Sequence, residues 1–542
     1  MDIRPPAQTP RWARFAACGL IGLFVALGSL WISRPGLYYD ETLFIQASWA
    51  RDDVPIAYTI HWRGRPVALM LISYLGALKG WLYAPLLAAL EPSAALVRAP
   101  ALAMGAAALG FFYLFARRAF GWQAGLAALA LAATDPIYLF TTRLDWGPVA
   151  IQRLCLAAGC FAVLRWWQKR RGRDLFWGAF AFGVGVFDKA TFLWLLAAMA
   201  AAAVVVFPRA VWRSLRPRAA AIVLAGLLLG SAPFLYYCWK WPGETFRRQR
   251  EDPARYAEKL RGVQYALEGT ILVGWLSRDP DASPAPPPDA LARLVFAVVP
   301  RRPAVETLLL PACVAAVLIL PGLAWHPWAR GMLFLLVFLI LVVAQMLPVA
   351  NAGAAHHLAL LVPFPHLLAA AGLAGARARL DPWFRRAGGT VFAAIVLVIA
   401  AANLRGVAHH YYRILAFGGG SGWSEAIYSL HDSLQRSRAE RIFLLDWGMI
   451  NQLRLLSRDR LPVVEAPQPQ GPADTAPYLE EWLSRPNVLF VKPAPDEAPA
   501  FPQVTAAFRA ALERRGLRAE VLETVRDLRG RGVYEILVVR RE

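Results

Sequence analysis

The chain has 542 residues, of which 58% are hydrophobic and only 18% charged, whereas soluble chains hold about 45–50% apolar and about 25% charged residues. Soluble cores stop growing near ~250–300 residues, so this surplus excludes a purely soluble enzyme, and the composition equally excludes a disordered chain or a collagen-like fibre. The 58 Lys and Arg against 37 Asp and Glu leave a net charge of +21; because the basic residues lie between apolar segments, as positive-inside loops do, and no nucleic-acid module is present, the charge points to a polytopic membrane protein.

The basic N-terminus, 1–14, leads into an apolar run over 15–31. That run is longer than a signal-peptide core and lacks a small-residue cleavage site, so it reads as a retained first membrane helix with a cytoplasmic N-terminus. Apolar runs of about 17–25 residues mark further spans. Together they predict about eleven, near 14–33, 94–116, 122–141, 149–167, 174–188, 190–207, 219–239, 304–324, 330–348, 357–376 and 388–404.

Residues 66–90 are also apolar, and they decide the topology. Basic clusters fall at 117–118, 165–173, 209–218 and 377–386. All four join the N-terminus on the cytoplasmic side only if 66–90 does not cross, so this segment is expected to be a helix lying in or near the outer interface. The first external loop then runs over 34–93. Other external segments carry Arg143-Leu144-Asp145-Trp146, the turn at Asp188-Lys189, a long loop over 240–303 with a proline-rich stretch at 280–288, and the loop 348–356.

Beyond about 404 the pattern changes. Apolar runs at 442–445, 488–491 and 534–539 read as buried strands, and helical periodicity appears at 423–437, 474–484 and 500–516. The expectation is a membrane domain over 1–404 and a soluble α/β domain over 405–542, which an odd number of spans places outside, in a periplasm or its equivalent. Gly418-Gly419-Gly420 and the residues up to Gly422 read as a linker or hinge. All five cysteines, Cys18, Cys155, Cys160, Cys238 and Cys313, fall in apolar stretches without zinc-finger or CxxC spacing, so neither disulfides nor cysteine chemistry is expected.

Several polar residues meet on the outer face. Asp40 and Glu41 follow the first span; adjacent carboxylates there suit a general base or a cation ligand, and Asp40 equally suits capping a helix reaching about Trp49. Asp145 is either an ordinary loop acid or the partner that an Arg as deep as Arg153 needs. Lys79, in Leu75-Gly76-Ala77-Leu78-Lys79-Gly80-Trp81, either snorkels or neutralises a lipid phosphate. Arg63, Arg65, Arg247, Arg248 and Arg250 have the same two readings. Asp188-Lys189 is an acid–base pair or a plain turn, and His356-His357 suits a phosphate or a sugar better than a metal, for want of a third ligand nearby. Co-location of Asp40, Glu41, Lys79, Asp145, Lys189, His356 and His357 on one membrane face argues for an outward-facing active site.

With these residues in place the chain resembles a GT-C-type glycosyltransferase, closest to the protein O-mannosyltransferase and ArnT (aminoarabinose transferase) group. The resemblance covers roughly 14–405 and rests on Tyr39-Asp40-Glu41, Arg65-Pro66, Asp145 and Gly185-Val186-Phe187-Asp188-Lys189. ArnT-like enzymes have Lys-Pro where this chain has Arg65-Pro66, which leaves the phosphate work open between Arg65 and Lys79. Gly76-Ala77-Leu78-Lys79, Leu144-Asp145-Trp146-Gly147-Pro148 and His356-His357 with Pro363-Phe364-Pro365 resemble a bacterial subgroup.

The resemblance implies a multi-pass protein of a bacterial cytoplasmic (inner) membrane, a polyprenyl-phosphate-linked sugar donor and an extracytoplasmic lipid, glycan or protein acceptor. It implies an inverting transfer with Asp40 as base, and Asp145 orienting the acceptor or balancing cations. Lys79, Arg65 or Lys189 would stabilise the departing phosphate, and His356 and His357 would sit at the donor. Glu41 would align the acceptor or hold a divalent cation, although no metal is required. A transporter or lipid-linked-sugar flippase with an external domain is the competing reading, and a non-catalytic assembly factor a third; the first would place its charges near the bilayer midplane on broken helices.

Overall fold

The computed structural model describes residues 9–49, 58–214, 216–246, 251–278, 283–299, 307–324, 326, 328–350, 352–420, 422–466 and 476–541, without the side chains of 381–386 and 476. Arg247, Arg248, Arg250, the start of the proline-rich stretch and the side chains of Arg385 and Arg386 lie outside the described residues.

The first part of the chain runs through α1 (Arg11–Ser29), α2 (Tyr39–Leu43), β1 (Tyr58–Trp62), β2 (Arg65–Ile72), β3 (Leu75–Gly76), α3 (Leu78–Ala89), α4 (Ala94–Thr134), α5 (Pro136–Leu144) and α6 (Val149–Lys169). It continues through α7 (Gly172–Asp188), α8 (Phe192–Val206), α9 (Pro208–Ser214), α10 (Pro217–Gly230), α11 (Ala232–Lys240), α12 (Tyr256–Glu268) and α13 (Ala290–Val298). The last membrane-type helices are α14 (Leu309–Ile319), α15 (Ala329–Met346), the short α16 (Ala355–Leu358) and α17 (Phe364–Phe417).

The apolar runs read as spans fall on helices where they are described, though 122–141, 219–239 and 357–376 each straddle two, and among the described residues five helices are long and apolar enough to cross a membrane. The number rises to seven if the bent pairs α8–α9 (111°) and α10–α11 (70°) are each one span. The expected runs 94–116 and 122–141 meet at Gly121 inside α4, where φ is 82° and ψ 165°, a conformation essentially confined to glycine.

The segment 66–90 departs from the expected interfacial helix. Its first part is β2, the central strand of an antiparallel sheet ordered β1-β2-β3, and helix begins only at Leu78. The strand reading was available in Val67, Leu69 and Leu71, but unbroken apolar residues on both faces conceal period-2 alternation. Neither face of this strand is free for water at its centre, because Ala68, Leu69, Met70 and Leu71 are all buried.

The C-terminal unit comprises α18 (Ala426–Ser437), β4 (Arg441–Leu444), α19 (Ile450–Leu456), β5 (Val463–Glu465), α20 (Ala476–Leu483), β6 (Val488–Pro493), α21 (Pro502–Arg515), β7 (Leu517–Arg526) and β8 (Gly532–Arg541). Its sheet is ordered β5-β4-β6-β8-β7, with β4 parallel to β5 and β6, and β8 antiparallel to β6 and β7. Successive β4 side chains point to opposite faces. Ile442 and Leu444 join Leu430 and Leu453 on one side, while Phe443 and Leu445 join Phe490 and Phe508 on the other. A strand buried on both faces reads as a continuous apolar run, which is why β4, β6 and β8 were visible in sequence. Residue 404, the expected boundary, lies within α17, which continues to Phe417.

Candidate active site

The short helix α2 carries Asp40 and Glu41, and the two carboxylates have separate fates. Glu41, not Asp40, does the capping, because its Oε2 accepts from the Tyr38 backbone N–H at 2.9 Å. Its side chain is fully buried and paired with Arg98, whose Nε lies 2.8 Å from Oε1 and whose Nη2 lies 2.9 Å from Oε2. Arg98 spends its other donors on the carbonyls of Ile32, Pro35 and Gly36. This bidentate pair ties the segment after α1 to the first turn of α4, leaving Glu41 no exposed oxygen for an acceptor or a cation. Asp40, on the next face of α2, stays partly exposed. Burial pushes its carboxyl up to about 7, against the opposing charge of Lys189.

Asp145 ends α5 in the left-handed region (φ 47°), which Asp tolerates. Its Oδ1 accepts from the backbone N–H groups of Val149 (2.7 Å) and Ala150 (2.9 Å), the first turn of α6. Its Oδ2 meets Lys79 Nζ at 2.9 Å, with both side chains 1% exposed. Lys79 also donates to the Asp145 carbonyl, so it does not snorkel. Asp145 balances a cation; its oxygens are committed to Lys79 and to the start of α6. Arg153 does not use Asp145 either: it donates to Thr141 and Thr142 side chains and to the Tyr138 and Ala359 carbonyls, with its guanidinium 4.3 Å from the Tyr138 ring centroid.

Lys189 reaches the same place from the end of α7. Its backbone bridges to Leu75, and its Nζ donates to the Gly147 carbonyl at 3.0 Å. Among the described residues no carboxylate lies within ion-pair distance of it, so it is not held by Asp188. Asp188 is 1% exposed, and neither of its oxygens has a hydrogen-bond partner among the described residues. His356 accepts from Trp146 Nε1 at 3.1 Å through Nδ1, with His357 packed against it at 4.1 Å between ring centroids. Burial, together with the charges of His357 and Lys189, holds His356 well below its ordinary pKa, so it is a neutral ring.

Arg65 stands apart: it is exposed at the β1–β2 turn, opposite Trp62, and Arg63 is exposed beside it. Among the described residues no group of three His, Cys, Asp or Glu side chains is arranged to hold a metal ion.

Residues outside the expected set complete the site. Arg98 was marked in sequence by being a charge within an apolar run, the same signal that singled out Arg153. Trp275 and Trp423 carried no such signal. Tyr38 stacks on Trp423 (4.4 Å between centroids), Trp275 lies 4.5 Å from Trp146, and Tyr39 lies 4.4 Å from Trp447.

The C-terminal unit is built into this region. Leu455 of α19 packs in one cluster with Leu37, Ile45, Tyr83 and Leu87, Gly36 N donates to the Trp423 carbonyl, and Gln46 donates to Asn451. Leu455→Ala is therefore expected to cost about 2–5 kcal/mol, read as a lower thermal midpoint of the purified protein. An unchanged midpoint would show that α19 does not anchor the segment bearing Asp40.

Residues 78–237 match the family model described as dolichyl-phosphate-mannose-protein mannosyltransferase, a range that holds Lys79, Arg98, Asp145 and Lys189. Two solved structures share the fold over nearly the whole chain. ArnT from Cupriavidus metallidurans bound to undecaprenyl phosphate aligns with a TM-score of 0.60 at 13% identity, covering 97% of this chain and 98% of its own. The same protein in the apo state aligns with a TM-score of 0.58 at 13% identity, covering 96% and 98%. No curated protein sequence matches the chain. The chain thus shares its fold with these ArnT structures.

Proposed function

We propose that this chain is a membrane glycosyltransferase that moves a sugar from a polyprenyl-phosphate carrier to a hydroxyl or amine on an extracytoplasmic acceptor, with Asp40 as the base. The observation that carries this reading is the convergence of a half-buried carboxylate at Asp40 with Lys189, a cation with no carboxylate at ion-pair distance among the described residues, on the fold of a protein solved with undecaprenyl phosphate. The N-terminus is cytoplasmic in this reading, the site and the C-terminal unit face a bacterial periplasm, and the donor tail lies in the bilayer.

In the transfer step the acceptor oxygen attacks the anomeric carbon from the side opposite the phosphate. The C–O bond to the phosphate breaks, its electron pair leaves with the polyprenyl phosphate, and the acceptor proton passes to the Asp40 carboxylate. An alignment of this kind accelerates through proximity. Lys189 stabilises the departing phosphate electrostatically, because Lys79 is already neutralised by Asp145 and holds the loop from which the Gly147 carbonyl orients Lys189. Neutral His356 offers a hydrogen bond to the donor with no charge of its own. Arg65, exposed on its hairpin, is left as a headgroup contact.

The transporter reading is not favoured: Asp40, Lys79, Asp145 and Lys189 gather at helix ends and loops rather than along broken helices. Native mass spectrometry of the purified protein, with fragmentation of co-purifying lipid, tests the donor class. A polyprenyl phosphate, with or without its sugar, is the expected result, and Lys189→Met is expected to lower its retention about tenfold or more, since charge-assisted contacts contribute about 1.5–3 kcal/mol. Equal retention by the variant would remove Lys189 from the donor site.

A further inference from the structure

We infer that the cleft between the α2 segment and the C-terminal unit is the acceptor subsite, and that it takes a single neutral, hydroxyl-bearing sugar ring. This rests on the transferase reading above and gives the acceptor a chemical class.

Tyr38, Tyr39 and Trp275 line the cleft together with Asp446, Trp447 and Tyr534 of the C-terminal unit, and Tyr39 and Trp447 are in ring contact, so that they form one aromatic surface. The mechanism proposed above uses none of these side chains. The cleft adjoins the segment that carries the base: Tyr38, which precedes α2, and Tyr39, its first residue, come immediately before Asp40 in sequence. A base must come within hydrogen-bond reach of the proton it removes, so the body of the acceptor has to sit against the elements that carry Asp40.

The lining defines the ligand. Tyr39 and Trp447 present partly exposed rings 4.4 Å apart, tilted by 39°, and Trp275 adds a second indole against Tyr38. A sugar ring has an apolar C–H face, which suits aromatic stacking, and a rim of hydroxyls, which suits polar groups placed around such rings. The Arg278–Glu497 ion pair is such a group, while Asp446, itself buried, spends its two oxygens on the backbone N–H groups of Ala500 (2.9 Å) and Phe501 (2.8 Å). Two carboxylates against one guanidinium leave the cleft negative, which disfavours a phosphorylated or carboxylated acceptor end. Its volume is about 220 Å³, below the ~300–1,000 Å³ of pockets for drug-sized ligands, a size that suits a single ring inside it.

The test uses the full-length protein and saturation-transfer NMR with methyl glycosides of the common neutral hexoses, a sugar phosphate and a serine-containing tripeptide. Wild type and Asp40→Asn are both expected to bind at least one neutral glycoside. Trp447→Ala should weaken that binding about tenfold, and Trp447→Phe should restore most of it. Ala498→Trp, at an exposed position lining the cleft, should abolish binding by filling the space without disturbing a core, which keeps the inference testable if Trp447→Ala misfolds. Absence of neutral glycoside binding, equal binding by Ala498→Trp, or preferential binding of the tripeptide or the sugar phosphate would overturn it. Because binding is read without donor or turnover, the two readings separate. Glycoside binding in a protein that never transfers sugar sinks the transferase reading, and sugar transfer by a protein that binds no glycoside sinks the subsite.

Discussion

Asp40→Asn is expected to lower sugar transfer about 10²–10⁴-fold, the contribution of a positioned general base, while leaving expression and retention of the polyprenyl lipid intact. The substitution keeps the size of the side chain and removes its ability to take a proton. The fold should hold, because Asp40 neither caps α2 nor joins an ion pair among the described residues; those tasks fall to Glu41 and Arg98. The pH dependence gives a second signature. The base works only when ionised, and burial holds its carboxyl up to about 7. Turnover in wild type should therefore rise with pH through about 7 and fall away below it. Glu465 of the C-terminal unit is pushed by burial to about 7 as well, so the discriminating comparison is with Asp40→Asn: the residual activity of the variant should lose the limb. A limb that persists unchanged belongs to another group, and wild-type turnover by Asp40→Asn would end the assignment.

The second large effect is expected at Arg98. Arg98→Met leaves Glu41 fully buried with its charge unpaired, and it frees the Ile32, Pro35 and Gly36 carbonyls. Breaking a buried pair from one side costs about 3–5 kcal/mol, so the variant should show a much lower thermal midpoint and little folded protein. Arg98→Met combined with Glu41→Leu should recover much of that loss, because a buried pair replaced on both sides by apolar groups of similar volume is often near neutral. Transfer should remain impaired in the double variant, since the carboxylate–guanidinium link sets the course of the chain into α2. Recovery of both stability and transfer would show that the pair is dispensable for placing Asp40. A double variant as unstable as the single one would show that the carbonyl contacts of Arg98, not the charge, hold the segment.

The roles within the site were only partly legible beforehand. Asp40, Lys79, Asp145 and Lys189 stood out because charged residues beside apolar runs are conspicuous. Their pairing could not be read, since Lys79 and Asp145 are separated by 66 residues and two helices, α4 and α5, lie between them. The expected partnership of Asp145 with Arg153 failed because Arg153 found the Thr141 and Thr142 hydroxyls and the Tyr138 carbonyl on the preceding helix, α5. Arg65 looked equivalent to Lys79 because both lie in one short segment, yet a hairpin turn exposes the first and a helix start buries the second.

What the sequence determined by itself is whatever depends on local composition and period. Long apolar runs specify helices, and strands buried on both faces betray themselves as the uninterrupted runs of β4, β6 and β8. Short motifs such as Tyr39-Asp40-Glu41 carry the resemblance to a transferase. What only the tertiary structure decided is which charges neutralise one another and which remain available. Lys79 is taken by Asp145 and Glu41 by Arg98, while Asp40 and Lys189 join no ion pair among the described residues and Lys189 feels the charges of Asp188, Asp145 and Asp40. The same holds for the ring contact of Trp447 with Tyr39. The physical reason is that helix and strand formation answer to neighbours a few residues away, whereas the charge state and exposure of a buried side chain answer to groups brought alongside it by packing, from anywhere in the chain.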